Sequence, residues 1–339
     1  MEKRGESMDA STLTCFVDLH LHLDGSLPLS CVRELARRAR VELPAEEAAL
    51  KALLTVSPTC RDLNEYLEKF DLPLRLLQTE ENLTFATEAL RRKLAADGVQ
   101  YAEIRFAPQL HTREGLSQRQ AAEAVLRGLR SPGTAARVIL CCMRGSDTHA
   151  ANLETVNVAA ALAENGVCAV DLAGAEALYP TAEFAAEFAA ASAAYVPFTI
   201  HAGEAAGAES IRAALAFGAS RIGHGVRATE DAALLAELAA KKIPLELCPT
   251  SNLNTALFSD LTEYPLKALT EAGVAFTVNT DNLTVSDTTL RQEYARLLSA
   301  GVLTEAQLKS VLMTAVSAVF ADEKTKAALA ATIDAQLPD

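Results

Sequence analysis

The stretch Asp18-Leu-His-Leu-His-Leu-Asp24 combines an apolar, strand-like run with two histidines near its end. Because strand residues two apart point to the same face, the side chains of His20 and His22 are expected to project together. Seven further apolar runs follow it along the chain, separated by helical patterns. The predicted strands are residues 16–22, 99–107, 136–143, 167–173, 196–201, 220–224, 243–248 and 274–279.

These runs are mostly continuous in apolar residues rather than alternating, which is typical of parallel strands covered on both faces. Helical signals lie between them, for example a capping box from Ser117 to Gln120. Strands that alternate with helices predict an α/β fold, a (β/α)8 TIM-type barrel. A doubly wound sheet is less favoured, because no Gly-x-Gly-x-x-Gly turn follows any predicted strand.

Extra helices are predicted at two places. The first βα connection, residues 25–97, is too long for one helix and is expected to hold several helices that cover the barrel mouth. Three more helices are predicted at the C-terminus, over residues 286–300, 304–320 and 322–336. No repeat or linker divides the sequence, so residues 1–339 are expected to form a single domain.

The composition limits the classes of partner. A formal net charge of −13 argues against a nucleic-acid or anionic-membrane surface, since both need clustered Lys and Arg. A small, weakly charged ligand is expected instead. Residues 1–16 are charged and have no apolar stretch of signal-peptide length, so a cytoplasmic location is expected. The seven cysteines form no Cys-x-x-Cys pair and are expected to be reduced core thiols.

Histidines and carboxylates recur at the carboxyl ends of the predicted strands, where barrels of this type build their active sites. His201 ends the fifth strand, and Asp281 follows the eighth in Asn-Thr-Asp-Asn. Together with His20 and His22 they form a set of three histidines and one aspartate, which predicts a single metal ion. Imidazole ligands with one carboxylate suit Zn²⁺ best.

Two other residues at strand ends suit hydrolytic chemistry. Glu204, in His-Ala-Gly-Glu, is expected to deliver a proton to the substrate. The alternative is a solvent-exposed carboxylate on a loop, without a catalytic role. His224, between two glycines, is expected to orient a hydroxide and stabilise negative charge, although an isolated histidine is more often part of the core. His111 and His149 lack such a context and are predicted to be surface or structural residues.

The ordered motifs between about residue 16 and residue 300 resemble those of the adenosine deaminase family of the amidohydrolase superfamily. The motifs that carry the resemblance are His20-Leu-His-Leu-Asp-Gly-Ser-Leu, Tyr101-Ala-Glu-Ile-Arg-Phe-Ala-Pro, Asp171-Leu-Ala-Gly-Ala-Glu, His201-Ala-Gly-Glu, Arg221-Ile-Gly-His-Gly, Cys248-Pro-Thr-Ser-Asn and Asn279-Thr-Asp. The resemblance implies hydrolytic deamination of adenosine, and of 2′-deoxyadenosine, to inosine and ammonia by a hydroxide on one zinc ion per chain.

The resemblance also implies roles for individual residues. Zinc would be held by His20, His22, His201 and Asp281. Glu204 would protonate purine N1, and His224 with Asp281 would position the hydroxide at C6. The substrate would further meet His22, the backbone N–H of Gly174 at purine N3, and Asp24 at a ribose hydroxyl. Segment 60–76 would be a gating helix over the pocket, although an amphipathic packing helix is an equally good interpretation.

Asn282 departs from the family pattern, in which a second aspartate follows the metal ligand and contacts purine N7. An asparagine can donate that hydrogen bond through its NH₂ group. The departure leaves deamination of adenine base or of a modified adenine nucleoside as alternatives. AMP is disfavoured, since its phosphate would face Asp24.

The sequence argues against three other classes of protein. A binuclear site would need a bridging lysine at the fourth strand, and no lysine occurs between Lys93 and Lys241. The cytidine-deaminase type of zinc site needs Pro-Cys-x-x-Cys, which is missing from the sequence. A non-catalytic, metal-stabilised nucleoside-binding protein would not need Glu204 and His224. The sequence motifs do not predict the oligomeric state.

Overall fold

The computed structural model describes residues 13–338, so most of the charged N-terminal segment considered above lies outside the described residues. Eight parallel strands occur in the described part of the chain, which confirms the predicted number and order. They are β1 Phe16–His22, β2 Val99–Phe106, β3 Ala135–Met143, β4 Val167–Ala173, β5 Thr199–Ala202, β6 Arg221–His224, β7 Leu245–Leu247 and β8 Phe276–Val278.

The strands form a closed barrel. Each strand from β1 to β4, and each from β5 to β8, pairs with its neighbour in sequence. Val170 N–H donates to Pro197 O at 3.0 Å and links β4 to β5. Asp281 joins β8 to β1, since its N–H donates to His20 O and its carbonyl accepts from His22 N–H, both at 2.8 Å. The predicted (β/α)8 barrel is therefore confirmed, and its closing seam lies within the predicted metal site.

Fifteen α-helices lie in the described residues, and five of them fill the first βα connection as predicted. They are α1 Leu29–Ala39, α2 Glu47–Leu54, α3 Leu63–Leu67, α4 Asp71–Leu76, α5 Glu80–Ala96, α6 Gln118–Gly128, α7 His149–Ala161, α8 Ala185–Ala193, α9 Ala208–Phe217, α10 Ala232–Lys241, α11 Pro249–Asn254, α12 Leu266–Glu271, α13 Leu290–Ser299, α14 Glu305–Ala318 and α15 Glu323–Gln336. The last three are the predicted C-terminal helices.

Strands β7 and β8 are shorter than predicted because helix caps use the start of each apolar run. Ile243 N–H donates to Leu238 O of α10 at 3.1 Å, and Pro244 has no N–H to offer the sheet. Val274 N–H likewise donates to Leu269 O of α12 at 3.0 Å. Hydrophobicity alone does not separate a capping residue from a strand residue.

The barrel interior contains a buried network of charged side chains. Arg221 donates to Glu103 Oε2 and Glu246 Oε1, both at 2.6 Å, and Arg105 donates to Glu246 Oε2 and Asp171 Oδ2, both at 2.9 Å. Buried charges are tolerated when they are paired and hydrogen-bonded, as here. The network places Glu246 and Asp171 directly below the strand ends that carry the candidate site.

The cysteines and the helices agree with the expectations from composition. All seven cysteines are buried free thiols, as predicted. Within residues 13–338, no helix has both the length and the apolar character needed to cross a bilayer.

Candidate active site

Four side chains converge at the carboxyl end of the barrel. The Nε2 atom of His201 lies 3.0 Å from His20 Nε2 and 3.2 Å from His22 Nε2. Asp281 Oδ1 lies 3.5 Å from His20 Nε2 and 3.4 Å from His22 Nε2. Ligands about 2.0–2.1 Å from a tetrahedral ion stand roughly 3.3 Å apart. These four distances, 3.0–3.5 Å, are close to that spacing.

His224 lies close to the same cluster. Its ring, with those of His20 and His201 and the Asp281 carboxylate, offers four ligand atoms within 4.8 Å of one another. His22 Nε2 lies 3.2 Å from His201 Nε2 and 3.4 Å from Asp281 Oδ1, so His22 and His224 both border this point. Both nitrogens of His224 also face other partners, Asn252 at Nδ1 and Glu204 at Nε2.

Outer residues fix the orientation of three of these side chains. Glu246 Oε2 lies 2.8 Å from His20 Nδ1, and Asp171 Oδ2 lies 2.8 Å from His201 Nδ1. Each carboxylate thus favours a proton on Nδ1 and leaves the Nε2 lone pair for a metal ion. Ser251 Oγ donates to Asp281 Oδ2 at 2.6 Å, which leaves Oδ1 facing the histidines.

The electrostatics of the cluster favour a bound cation. Burial lowers the pKa of His22 and of His201, so both imidazoles are neutral donors. Burial opposes protonation of His20 as well, but hydrogen bonds that its ring donates to the Asp281 and Glu246 carboxylates raise its pKa. Burial likewise opposes ionisation of Asp281, yet contacts with the histidines lower its pKa. The carboxylates therefore attract positive charge to this point.

The backbone at two strand ends is strained. His224 and Asp281 both have a φ of +59°, in the left-handed region that non-glycine residues seldom adopt. Such conformations persist where surrounding contacts enforce them, often at functional sites. Gly223 permits the crowding, because a Cβ there would lie 3.1 Å from His20 Cε1 and from His201 Cα.

Glu204 lies on the loop after β5 and is buried in the pocket, with 4% of its surface exposed. Its Oε2 lies 3.7 Å from His224 Nε2. Burial, together with the negative charges of Asp281 and Glu176, raises the pKa of Glu204 well above its ordinary value. This shift favours the protonated form of the side chain, the form that can act as an acid.

His224 is held by a second polar side chain. Asn252 Nδ2 donates to His224 Nδ1 at 3.1 Å, and Asn252 Oδ1 accepts from Tyr264 Oη at 3.1 Å. With the amide in this orientation, the proton of a neutral His224 lies on Nε2, towards Glu204. Burial lowers the pKa of His224, which keeps the ring neutral and Nε2–H available as a donor.

A single pocket is lined by all the predicted site residues except His20, which is fully buried. Its lining residues are His22, Asp24, Leu63, Tyr66, Leu67, Phe70, Leu74, Ala107, Leu110, Cys141, Met143, Ala173, Gly174, His201, Glu204, His224, Asp281 and Asn282. The walls are largely apolar and a few polar groups converge at the base, as in sites for small ligands.

Two side-chain oxygens in this pocket have no hydrogen-bond partner among the described residues. They are Asp24 Oδ1 and Asn282 Oδ1, both buried. Buried polar atoms normally find a hydrogen bond, so these two are available to a ligand. Gly25 makes room for the amide, since a Cβ there would lie 1.7 Å from Asn282 Oδ1. Gly174, at a φ of +107°, presents its backbone to the same pocket.

Segment 60–76 covers the pocket but is not one helix. It consists of α3, a 3₁₀ turn at Glu68–Phe70, and α4. Leu63 and Phe70 line the pocket and also pack on Val56 and Val285. The gating and the packing interpretations of the sequence therefore apply to the same side chains.

The two remaining histidines are structural or surface residues, as predicted. His111 is buried, and its Nδ1 lies 2.7 Å from Leu77 O; burial lowers its pKa to about 4. The His149 side chain is 47% exposed and lies 2.7 Å from Glu187 Oε1.

Several residues that shape the site had no role predicted from the sequence. They are Asp171, Glu176, Glu246, Ser251 and Asn252, whose contacts with the site are direct. A signal existed for two of them, because a carboxylate interrupts an otherwise apolar strand at Asp171 and at Glu246. Such a charge needs a buried partner, but the sequence does not say which.

Comparison with known proteins identifies relatives over nearly the whole chain. The sequence profile of the adenosine deaminase family matches residues 16–336. The adenosine deaminase of Haemophilus ducreyi is 49% identical over 332 residues, which cover 95% of this chain and 96% of the relative.

Solved structures share the fold. Adenine deaminase from Arthrobacter aurescens superposes with a TM-score of 0.87 at 26% identity, covering 96% of this chain and 100% of that one. The N6-methyl-AMP deaminase of Arabidopsis thaliana has a TM-score of 0.84 at 27% identity, covering 97% of this chain and 98% of that one.

Proposed function

The chain belongs to the adenosine deaminase family, and we propose that it hydrolyses adenosine and 2′-deoxyadenosine to inosine or deoxyinosine and ammonia. The observation that carries the proposal is the buried Glu204 carboxyl group, whose pKa is raised, beside a set of three histidines and one aspartate. The profile match over 16–336 and the continuous barrel support one catalytic domain spanning residues 1–339.

Zinc is the proposed cofactor, one ion per chain, held by His20, His22, His201 and Asp281. The donor set supports it, since three imidazoles and one carboxylate 3.0–3.5 Å apart suit Zn²⁺. A zinc ion with an open position lowers the pKa of a bound water to about 7, and so supplies hydroxide near neutral pH.

The protein's own residues direct the chemistry at the purine. Glu204 donates its proton to purine N1, which withdraws electrons from C6 and prepares that carbon for attack. His224 Nε2–H and the Asp281 carboxylate orient the attacking oxygen towards C6. Attack forms the C6–O bond. The proton of the added hydroxyl then passes to the C6 amino group, the C6–N bond breaks, ammonia leaves, and C6 becomes a carbonyl while N1 keeps its proton. The raised pKa of Glu204 and the lowered pKa of His224 support these roles.

Three groups hold the nucleoside in place. The backbone N–H of Gly174 donates to purine N3, and Asp24 accepts a hydrogen bond from a ribose hydroxyl. Asn282 donates to purine N7 through its NH₂ group. The unpaired Asp24 oxygen, and the position of Asp24, Gly174 and Asn282 in the pocket, support these assignments. His22 lines the same pocket and is expected to contact the bound nucleoside.

A substrate series tests the proposed specificity. Adenosine and 2′-deoxyadenosine are expected to give the highest kcat/KM, because Asp24 recognises the sugar. AMP is expected to be poor, since its phosphate would approach the same carboxylate. Ammonia release from adenosine, deoxyadenosine, adenine, AMP and N6-methyladenosine measures this. Preference for adenine or for N6-methyladenosine would replace the proposed substrate.

Substitution of His224 tests its role at the attacking oxygen. His224→Ala removes the Nε2–H donor and is expected to lower kcat by about 10²–10³-fold, as for other lost stabilisers of developing charge. Metal content should stay at the wild-type level, because His224 is not a proposed ligand. Loss of the metal in this variant would identify His224 as a ligand in place of His22.

Asn282 gives a prediction about purine N7. 7-Deazaadenosine has carbon at that position and would leave the buried NH₂ unpaired, at a cost of about 1–3 kcal/mol. Its kcat/KM is expected to be roughly tenfold to a hundredfold below that of adenosine. Asn282→Ala should lose most of this discrimination, since the donor is gone. Equal turnover of both nucleosides by the unmodified protein would exclude N7 recognition by Asn282.

A further inference from the structure

The buried carboxylate of Glu176 sits inside the loop that carries Glu204. Its Oε2 accepts N–H hydrogen bonds from Glu204 at 3.0 Å, Ala205 at 2.6 Å and Ala206 at 2.9 Å. Its Oε1 accepts from Gly203 N–H at 2.7 Å and from the Ser210 hydroxyl. One side chain thus receives four consecutive backbone amides and a hydroxyl.

The loop is shaped to surround an anion. Gly203 has a φ of +73°, and a Cβ there would lie 2.5 Å from Ile211 Cδ1. The loop leads into α9, and its amides from 203 to 206 all face the Glu176 carboxylate with partial positive charge. Consecutive amides in such a turn form a concave anion site, which the protein fills with its own Glu176.

Hydrogen bonds hold the backbone of Glu204 at both its N–H and its carbonyl group. Its N–H donates to Glu176, and its carbonyl accepts from Arg227 Nε at 3.1 Å. The Glu204 side chain extends from this anchored backbone into the pocket, where its Oε2 lies 3.7 Å from His224 Nε2. Displacement of Glu176 would remove the hydrogen bonds of all four loop amides. The Glu204 carboxyl group would then no longer be held in one orientation.

We propose that Glu176 is a positioning residue that fixes the loop 203–206 and thereby holds the Glu204 carboxyl group at purine N1. The inference rests on the proposed role of Glu204 as proton donor. Glu176 lines a separate cavity beside the pocket that also contacts Glu204 and Arg227, and it does not line the substrate pocket itself. It therefore acts through Glu204 and not on the substrate.

A double-mutant cycle tests this. The four proteins are the unmodified chain, Glu176→Gln, Glu204→Gln and the double variant, each assayed with adenosine and analysed for metal. Glutamine keeps the shape of Glu176, but its NH₂ group cannot accept the hydrogen bonds of one carboxylate oxygen. Glu187→Gln is the matched control, because Glu187 is equally buried but contacts His149 and not the site.

Glu176→Gln is expected to lower kcat by roughly tenfold to a hundredfold, the effect of a misplaced catalytic group, with KM and metal content near the wild-type values. In the Glu204→Gln background the same change should cost no more than about twofold, because the group it positions has already been neutralised. Glu187→Gln should retain wild-type kcat.

Equal losses from Glu176→Gln in both backgrounds, or losses that follow metal content, would overturn the positioning role alone. A harmless Glu204→Gln would instead overturn the proposed proton donor, and the inference with it. Glu176→Asp repeats the cycle with the charge retained on a shorter side chain. It is expected to be intermediate in kcat, and it decides the question if the glutamine variant does not fold.

Discussion

Glu204→Gln is expected to lower kcat for adenosine by at least about 10²–10⁴-fold, the usual cost of a lost general acid. The amide is nearly isosteric with the protonated carboxyl group, but it cannot transfer a proton to purine N1. Burial and the adjacent negative charges raise the pKa of Glu204, which favours the protonated form that donates to purine N1. Steady-state kinetics with adenosine measure the loss.

The metal content of this variant separates two roles. Glu204 is not among the four converging donors, so the variant should bind as much metal as the unmodified protein. Glu183→Gln, which alters an exposed carboxylate, should behave as the unmodified chain in both assays. If Glu204→Gln lost its metal and activity fell in proportion, Glu204 would be a ligand and not the acid.

Removal of the divalent ion is expected to abolish deamination completely. Without the ion, the three histidines and the carboxylate would have no source of hydroxide. Purine C6 would then not be attacked. Activity measured after exhaustive chelation, and again after zinc is restored, gives the result. Recovery on zinc addition controls for unfolding during chelation.

The barrel could be predicted from sequence because its strands are buried on both faces and therefore appear as continuous apolar runs. The predicted ligands were identifiable for a related reason. His20, His201 and Asp281 follow or end such runs, where a parallel barrel gathers residues from distant parts of the chain. Position on the strand, more than residue type, brought them to one point.

The residues that orient the ligands were not predictable in the same way. Glu246 lies 226 positions from His20, and the contact depends on both side chains entering the barrel interior at one level. Glu176 is recognisable only once the four amides of the next loop are seen around it. No local pattern encodes such long-range pairs.

Titration of metal-free protein with zinc tests the central claim of a single catalytic ion most directly. Adenosine deamination should rise linearly with added zinc and level off at one equivalent per chain, and elemental analysis should then find one ion. Replacement of His22, one of the proposed ligands, by alanine should weaken zinc binding and remove the sharp break in the titration. Full activity in the metal-free protein, or a break at two equivalents, would contradict the mononuclear site.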